Sequence, residues 1–362
     1  MPNTFNSTLK TFTLALGLVL LLAGCKQNSS EAAFDNYHQR LTNVLDIDPT
    51  PIPNTDVLPL PQKRDLNQAL PDIRIGLLDA YELRQCGLFQ LIAERNSILG
   101  KVQDKTRSLQ YELLFLNGLS YCLTQLKPDS DSDLVAELTP IYQQKQQQLP
   151  MIFWNMIFTG EEWRKQLTLG HELVDSEKNS AFLTSLSAFS YVADLINNNV
   201  TTTPTPIAPA LIENKYQDLL HHQQQIYNSR YIGDLFYSLA RTTTWLNTIT
   251  AQLNANQDLI LCGNNMNQQK AKYLRNVFYK FYVADIQRYL AHLDSQYQQI
   301  QPVLQQIHQQ LNQAPIQVTP DMQGYIDAYI NGEAYRQFHQ STLDHVKFWQ
   351  RLFKQCNFKV GQ

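Results

Sequence analysis

The sequence predicts an all-α protein, a multi-helix antiparallel bundle-like domain stapled by two disulfides. Apolar residues recur at helical spacing along most of the chain, and no alternating strand pattern of convincing length interrupts them. Glycine is scarce, at 13 of 362 residues. Four cysteines are left after the export signal described below, which is an even number and therefore favours disulfide pairing.

Residues 1–24 have the organisation of an export signal. A polar start with one cation, Lys10, precedes an apolar run that is shorter than the roughly 20 residues of a membrane span. The run ends Leu22-Ala23-Gly24-Cys25, which resembles the lipid-attachment box of bacterial lipoproteins. We therefore expect cleavage before Cys25 and acylation of its thiol and amino group. The alternative is an ordinary secretory signal with an incidental cysteine.

The lipid anchor predicts where the mature chain is held. Several acyl chains, at about 0.8 kcal/mol per buried methylene, anchor a protein firmly. Lys26 rather than Asp follows Cys25, and by resemblance to enteric-type sorting this favours the periplasmic face of the outer membrane. The formal net charge is −3 and no basic patch is present, so we expect no nucleic-acid partner.

The four remaining cysteines are Cys86, Cys122, Cys262 and Cys356. In an exported protein an even number argues for disulfides, and four cysteines allow three pairings. We favour Cys86–Cys122 and Cys262–Cys356, because each half of the chain then has its own crosslink. No C-x-x-C is present, so a metal site built from these cysteines is disfavoured.

Mature residues 25–65 form a predicted tether. Residues 31–46 place Phe34, Tyr37, Leu41 and Val44 or Leu45 on one face of an amphipathic helix. A proline-rich stretch follows, and proline fixes φ and removes donors, so this stretch is expected to be extended. It either straps across the body, which its apolar residues Val57, Leu58 and Leu60 favour, or holds the body away from the bilayer.

Residues 66–362 are predicted to be an all-helical domain, with 66–198 and 211–362 as two halves and a proline-rich loop at 197–210 between them. A break or kink is expected at Pro302. The predicted helical segments span 66–94, 109–123, 133–148, 151–167, 178–197, 211–227, 231–254, 268–311 and 322–355.

Glutamine-rich runs occur at Gln143–Gln148, His221–Gln225 and Gln305–Gln310. Glutamine is a neutral helix former, so a solvated helix face of low charge is the simplest interpretation. A polysaccharide-binding surface is the alternative, because amides and the 18 tyrosines can contact sugars.

One segment resembles a known family. Cys86, Leu88 and the run Glu94-Arg95-Asn96-Ser97-Ile98-Leu99-Gly100-Lys101-Val102 resemble the uncharacterised bacterial lipoproteins of domain of unknown function 3080. Trp154-Asn155 and Glu162 also fit that family. The resemblance covers most of the mature chain and implies an envelope lipoprotein, but it brings no activity with it.

Arg95, Asn96 and Ser97 are the first candidate binding residues. Arg95 with Asn96 could bind an anion or the carboxylate of a partner. The alternative is structural: Asn96 and Ser97 would satisfy the backbone of a helix corner, and Arg95 would pair with an acid such as Asp79.

Candidate catalytic and metal sites are weak. His171-Glu172 begins like a zincin helix, but Asp175 replaces the second histidine, so a surface pair is favoured over a metal site. Glu161 and Glu162 beside Trp163 suggest a glycosidase, yet adjacent carboxylates on a helix diverge and would not flank a glycosidic bond.

We therefore expect no catalytic set, no metal and no cofactor. The leading hypothesis is a non-catalytic module that binds an envelope protein or glycan, with Arg95, Asn96, Ser97, Trp154 and Glu162 as binding residues. The alternatives are an enzyme acting on envelope glycan, with Glu161 or Glu162 as the acid, and a lipid-binding carrier. The carrier would use a groove lined by aromatic residues near Trp154 and Phe278, which otherwise belong to the core.

Overall fold

The computed structural model describes residues 29–71, 83–97, 100, 102–127, 131–175, 179–202, 205–208, 216–263 and 266–359. The predicted signal, Cys25, and residues 72–82 of the first predicted helix of the domain lie outside the described residues. Every regular element within these ranges is helical and none is a strand, which confirms the all-α prediction. No helix in this part of the chain combines the length and apolar character that a membrane span requires.

The first half of the described chain contains seven α-helices and a short 3₁₀ turn at Leu83–Cys86. The helices are α1 (Ser29–Leu45), α2 (Lys63–Leu66), α3 (Leu88–Asn96), α4 (Lys105–Gln125), α5 (Ser132–Thr159), α6 (Glu161–Leu167) and α7 (Asn179–Ile196). The residues Asn197–Thr201 continue α7 as a π-helical turn, where the sequence predicts a loop.

The second half contains six further α-helices. They are α8 (Gln217–Gln225), α9 (Tyr231–Ala255), α10 (Gln269–Val277), α11 (Gln287–Leu311), α12 (Pro320–Tyr325) and α13 (Glu333–Gln355). A π-helical segment, Phe278–Ile286, joins α10 to α11, and another, Ile326–Ile330, extends α12.

Two helices continue through prolines at which the sequence predicts a break or kink. The sequence predicts separate helices on either side of Pro150, but α5 continues through it and ends at Thr159, with Gly160 as its C-cap. A Cβ at Gly160 would lie 2.3 Å from the carbonyl oxygen of Met156. Pro302 likewise lies inside α11. Both helices pack long apolar faces in the core, and that packing outweighs the roughly 3 kcal/mol cost of a proline in a helix interior.

Two predicted long helices are broken at positive φ angles. Gly87, with φ of 72°, separates the turn Leu83–Cys86 from α3. Gly332, with φ of 87°, separates the π-helical turn from α13. A side chain there would also contact Gln301 Nε2 at 2.7 Å. Only glycine adopts this conformation without a steric cost, so the breaks fall at these positions.

Both predicted disulfides are present. Cys86 and Cys122 are paired with a Cα–Cα distance of 5.1 Å, and Cys262 and Cys356 with a distance of 4.7 Å. The second bond attaches the end of α13 to the segment that follows α9.

The buried apolar residues form two clusters. The larger extends in sequence from Phe34 to Cys356 and draws on both predicted halves of the chain. The smaller is formed by the turn Leu83–Cys86, α3, the C-terminal part of α4 and one buried residue of α5, and the Cys86–Cys122 bond is inside it. Its buried members are Leu83, Cys86, Leu88, Ile92, Phe115, Leu119, Cys122 and Leu138.

The proline-rich segment after α1 is extended and lies on the helical body. The Leu58 amide donates to the Tyr329 hydroxyl oxygen at 3.0 Å, and Leu60 is buried. Arg164 donates to the carbonyl oxygens of Leu60 and Pro61, at 3.3 and 2.5 Å. The Leu58 side chain is half exposed. At Leu58, therefore, the main-chain hydrogen bond to Tyr329 holds the segment on the body, and the side chain adds little.

Helix α1 is embedded in the main core. Its face of Phe34, Tyr37, Leu41 and Leu45 is at most 1% exposed. Near its start, Glu31 accepts hydrogen bonds from Arg241 at 2.7 Å and from the Trp245 indole at 2.9 Å, both on α9. The ion pair is only partly exposed, so solvent screens it less than a surface pair.

A buried polar chain joins the middle of α1 to α13 and α9. His345 Nε2 lies 2.8 Å from the Tyr37 hydroxyl, and His345 Nδ1 lies 2.8 Å from the Thr250 hydroxyl. The Trp349 indole N–H donates to Tyr37 and to His345 Nε2, each at 3.1 Å. Because Nε2 faces donors, we assign the proton to Nδ1, which then donates to Thr250.

Burial keeps His345 neutral. The ring is fully buried, and desolvation lowers its pKa to about 3. Protonation would place a proton on Nε2, which could then no longer accept from Tyr37. The pKa of Tyr37 is raised by its own burial, so this hydroxyl stays neutral and keeps its proton for the hydrogen bond.

The buried histidine predicts a pH-dependent stability. The unfolded chain binds a proton on His345 below about pH 6.5 and the folded chain does not, so stability falls as the pH drops from 6.5 towards 3. We expect the free energy of unfolding to fall less steeply with decreasing pH in His345→Gln than in the parent. The slope difference approaches about 1.4 kcal/mol per pH unit, measured by urea denaturation.

The comparison with the parent isolates this histidine. Desolvation raises the pKa of the Asp234 carboxyl to about 7, which makes stability fall with rising pH in an overlapping range. The contribution of Asp234 is the same in His345→Gln and in the parent, so it cancels in the difference between their slopes. Equal slopes in His345→Gln and the parent would contradict the assignment of a buried, neutral His345.

The smaller cluster predicts a local effect of its disulfide. In Cys86→Ser/Cys122→Ser we expect faster amide hydrogen exchange in α3 and the C-terminal part of α4, with α9 unchanged. The local loss is about 2–4 kcal/mol, because the crosslink no longer restricts the unfolded loop. The control Cys262→Ser/Cys356→Ser should instead affect the end of α13. Faster exchange of α9 in the first variant would show that the two clusters unfold together.

Candidate functional site

The candidate residues Arg95, Asn96 and Ser97 lie at the corner where α3 ends, with Arg95 and Asn96 in its last turn and Ser97 as its C-cap. Arg95 Nη1 donates to the carbonyl oxygen of Gly100, and its guanidinium lies 5.5 Å from the ring centroid of Tyr111. The Ser97 hydroxyl donates to the Glu94 carbonyl at 2.7 Å and accepts from the Gly100 amide at 3.0 Å. These contacts stay within the corner or reach the adjoining helix α4, while Asn96 is exposed. Asp79 lies outside the described residues.

Trp154 and Glu162 are both buried and hydrogen-bond to different segments of the chain. Trp154 is buried, donates from its indole to the Leu66 carbonyl at 2.8 Å, and packs on Phe158 at 4.3 Å between ring centroids. Glu162 is also buried, and its Oε2 accepts from the Asn228 amide at 3.1 Å. Asn228 has a φ of 57°, so this carboxylate satisfies the backbone of a tight turn.

Asn155, next to Trp154, fixes the segment that follows α2. Its side-chain oxygen accepts from the Gln68 amide at 2.8 Å, and its nitrogen donates to the Gln68 carbonyl at 2.9 Å. The Gln68 side chain makes the same paired contact with the main chain of Gln317, at 3.0 and 2.9 Å. This region therefore joins distant segments of the chain through hydrogen bonds.

The carboxylates and histidines singled out as catalytic or metal candidates differ in burial and in local structure. Glu161 is exposed at the start of α6 while Glu162 points inward. His171 to Asp175 are not helical, so the spacing of a zincin helix does not arise. Among the residues that the structure describes, no three His, Cys, Asp or Glu side chains come together as metal ligands.

A groove of about 630 Å³ lies between the C-terminal half of α1 and α10 with the π-helical segment that follows it. This volume is within the usual range of small-ligand sites. The ionic part of the lining consists of Arg40, Asp46, Lys270 and Lys280. Three cations and one carboxylate leave this surface with a net charge of +2, although the whole chain carries −3.

The cations have different partners. Lys270 donates to the Leu45 carbonyl at 3.0 Å and pairs with Asp46 at 2.9 Å, which ties α10 to the end of α1. The guanidinium of Arg40 lies 5.5 Å from the ring centroid of Phe281, and its Nε donates to Asn36 at 3.2 Å. Arg40 and Lys280 are exposed, so their charges are accessible to a ligand.

The remaining polar lining consists of amides and one phenol. Gln269 donates to the Tyr273 hydroxyl oxygen at 2.7 Å, and the Gln269 main-chain amide donates to the Asn267 side chain at 3.0 Å. Tyr273 is 49% exposed. Asn43 on α1 and Asn276 on α10 are exposed on opposite sides of the groove.

Sequence reasoning did not identify this groove. Its two sides are separated by more than two hundred positions, and none of the three glutamine-rich runs contributes to it. The available signal was the polar face of α1, where Arg40 and Asn43 lie opposite the buried Phe34 and Leu41. The polar face predicts that Arg40 and Asn43 are exposed, but it does not indicate which other segment of the chain lies beside them.

The comparisons with known proteins give a family and no activity. The model of a family described as "Protein of unknown function (DUF3080)" matches residues 34–360. No curated protein and no solved structure matches the chain. The match includes α1 almost from its start, the extended segment, both disulfides and the groove. The chain is therefore a member of the family of unknown function DUF3080.

Proposed function

We propose that this chain is a lipid-anchored envelope protein of the periplasmic face of the outer membrane. We further propose that it acts as a non-catalytic binding module through the groove beside α1. The anchor rests on the sequence around Cys25. The docking of α1 carries the rest of the proposal, because it connects that anchor directly to the groove.

The distance between the anchor and the body is short. Ser29, the first residue of α1, is four residues after Cys25, and four residues span at most about 14 Å when fully extended. Helix α1 is fixed in the core by Phe34, Tyr37 and the Glu31–Arg241 pair. An acylated Cys25 would therefore hold the whole helical body close to the bilayer.

The same helix carries part of the groove. Arg40 is eleven residues beyond Ser29, which corresponds to about 16 Å along an α-helix. A protein anchored in this way presents the groove at a fixed distance from its tether. A binding module benefits from this arrangement because it restricts where the captured ligand is held.

The two alternative functions have weaker support. Glu162 is committed to the Asn228 amide and Glu161 is exposed beside it, so the pair does not provide two facing carboxylates. Aromatic residues suggested for a lipid carrier pack on each other, as Trp154 does on Phe158 and Phe278 on Tyr282. We therefore do not propose either activity.

Replacing the acylated cysteine tests the anchor. Cys25→Ser should prevent acylation and move the protein from the membrane fraction to the soluble fraction, detected by immunoblot after cell fractionation. The matched variant Lys26→Asp keeps the thiol and should stay acylated while moving to the inner membrane. Unchanged membrane association of Cys25→Ser would rule out the proposed anchor.

A crosslinker in the groove tests the binding role. A photoreactive phenylalanine analogue at Tyr273 should give a discrete adduct in living cells, resolved by electrophoresis and mass spectrometry. The control position is Tyr227, which is 64% exposed and does not line the groove. Adducts of equal yield at both positions, or none at Tyr273, would contradict a binding role for the groove.

A further inference from the structure

We propose that the groove binds an anionic glycan, a carbohydrate that carries carboxylate or phosphate groups. This inference rests on the proposed binding function and specifies the ligand class. It is argued from the charge, the hydrogen-bonding groups and the shape of the lining.

The charge of the lining selects an anion. Asp46 neutralises Lys270 by a 2.9 Å contact, so Arg40 and Lys280 supply the net positive charge. An arginine fork binds carboxylate or phosphate oxygens in a bidentate manner, and a lysine adds a point charge. A local charge of +2 on a chain of net charge −3 is a concentration of positive charge at one place.

The neutral lining suits hydroxyl groups. A side-chain amide can both donate and accept, as a sugar hydroxyl does. Asn43 and Asn276 are exposed at the groove, and the hydrogen bond from Gln269 orients the ring of Tyr273. The half-exposed ring of Tyr273 offers an apolar face beside polar groups, on which a sugar ring can lie.

The same features disfavour a peptide ligand. One common mode of recognition adds an extended peptide as a strand to a sheet edge, and the described part of the chain contains no strand. A helical peptide needs a continuous apolar groove. Here the apolar residues Val44, Val277 and Phe281 are interrupted by charges and amides.

The site is held in place before a ligand binds. Lys280 and Phe281 belong to the π-helical segment Phe278–Ile286, and π-helical insertions occur frequently at functional sites. The inward residues of this segment are packed, with the ring centroid of Phe278 4.9 Å from that of Trp349. On the opposite side, α1 is fixed by its own buried face. Both sides of the groove are therefore attached to the main core.

Binding of the full-length protein to a defined set of oligosaccharides tests the inference. The set contains galacturonate and hyaluronate oligomers as carboxylated glycans, a phosphorylated mannan oligosaccharide, and maltose and chitin oligomers as neutral controls. A glutamate-rich peptide represents acidic protein segments. We expect binding of carboxylated or phosphorylated glycans only, and affinity that decreases with added salt.

Variants of the lining give the sharper result. Arg40→Gln and Lys280→Gln should each weaken glycan binding about tenfold, because each removes a charge-assisted hydrogen bond. The control Arg64→Gln/Arg107→Gln removes two exposed cations outside the groove and should leave binding unchanged. Circular dichroism confirms that each variant is folded.

Three results would overturn the inference. They are equal affinity for neutral and anionic glycans, a higher affinity for the acidic peptide than for any glycan, or a dissociation constant above about 1 mM for every glycan. A loss of affinity in the control equal to that in the groove variants would also overturn it. A Tyr273 crosslink to a protein with no glycan bound would leave the binding module standing and remove only the ligand class.

Discussion

The structure depends on the burial of α1 against the rest of the chain. This helix, near the beginning of the sequence, packs on residues near its end. The Tyr37 hydroxyl on α1 hydrogen-bonds with His345 and with Trp349 on α13. The Glu31–Arg241 pair and the apolar face of α1 add contacts along the same helix. Without α1, a long apolar surface on the main core would be exposed, and His345 Nε2 would lose the hydrogen bond from Tyr37, which is costly in a folded protein.

The docking of α1 also organises the surface. The extended segment after α1 is held by main-chain hydrogen bonds to Arg164 and Tyr329, and it begins where α1 ends. One side of the groove is α1 itself, and Lys270 connects the end of α1 to the opposite side. The tether, the core and the groove are thus parts of one arrangement. That arrangement is the physical basis for proposing a binding module held at a fixed distance from a membrane.

Local patterns in the sequence were sufficient to predict some of these features and not others. The spacing of Phe34, Tyr37 and Leu41 identified the buried face of α1. The even number of cysteines predicted disulfides, and assigning one crosslink to each half of the chain predicted the two observed bonds. Helix ends were harder to predict from the sequence, because whether Pro150 and Pro302 break a helix depends on the packing around them. The positive φ angles at Gly87 and Gly332 instead ended helices within patterns that looked continuous.

The groove and the buried histidine could not be anticipated, because both depend on contacts between distant segments. His345 has two partners that lie more than ninety residues away, on α1 and α9. Arg40 and Lys280 line one groove because α1 packs against the π-helical segment. In contrast, Arg95, Trp154 and Glu162 looked suited to binding in isolation. In the fold their polar groups contact carbonyl oxygens or amides of the main chain.

The most direct test of this account is native-state hydrogen exchange of α1 in the full-length protein. If α1 is an integral part of the core, its central amides should exchange as slowly as those of α9 and α13, by global unfolding. Fast exchange of α1 while α9 and α13 remain protected would show that α1 detaches on its own. The groove would then lose one side, and the tether would not hold the body in place.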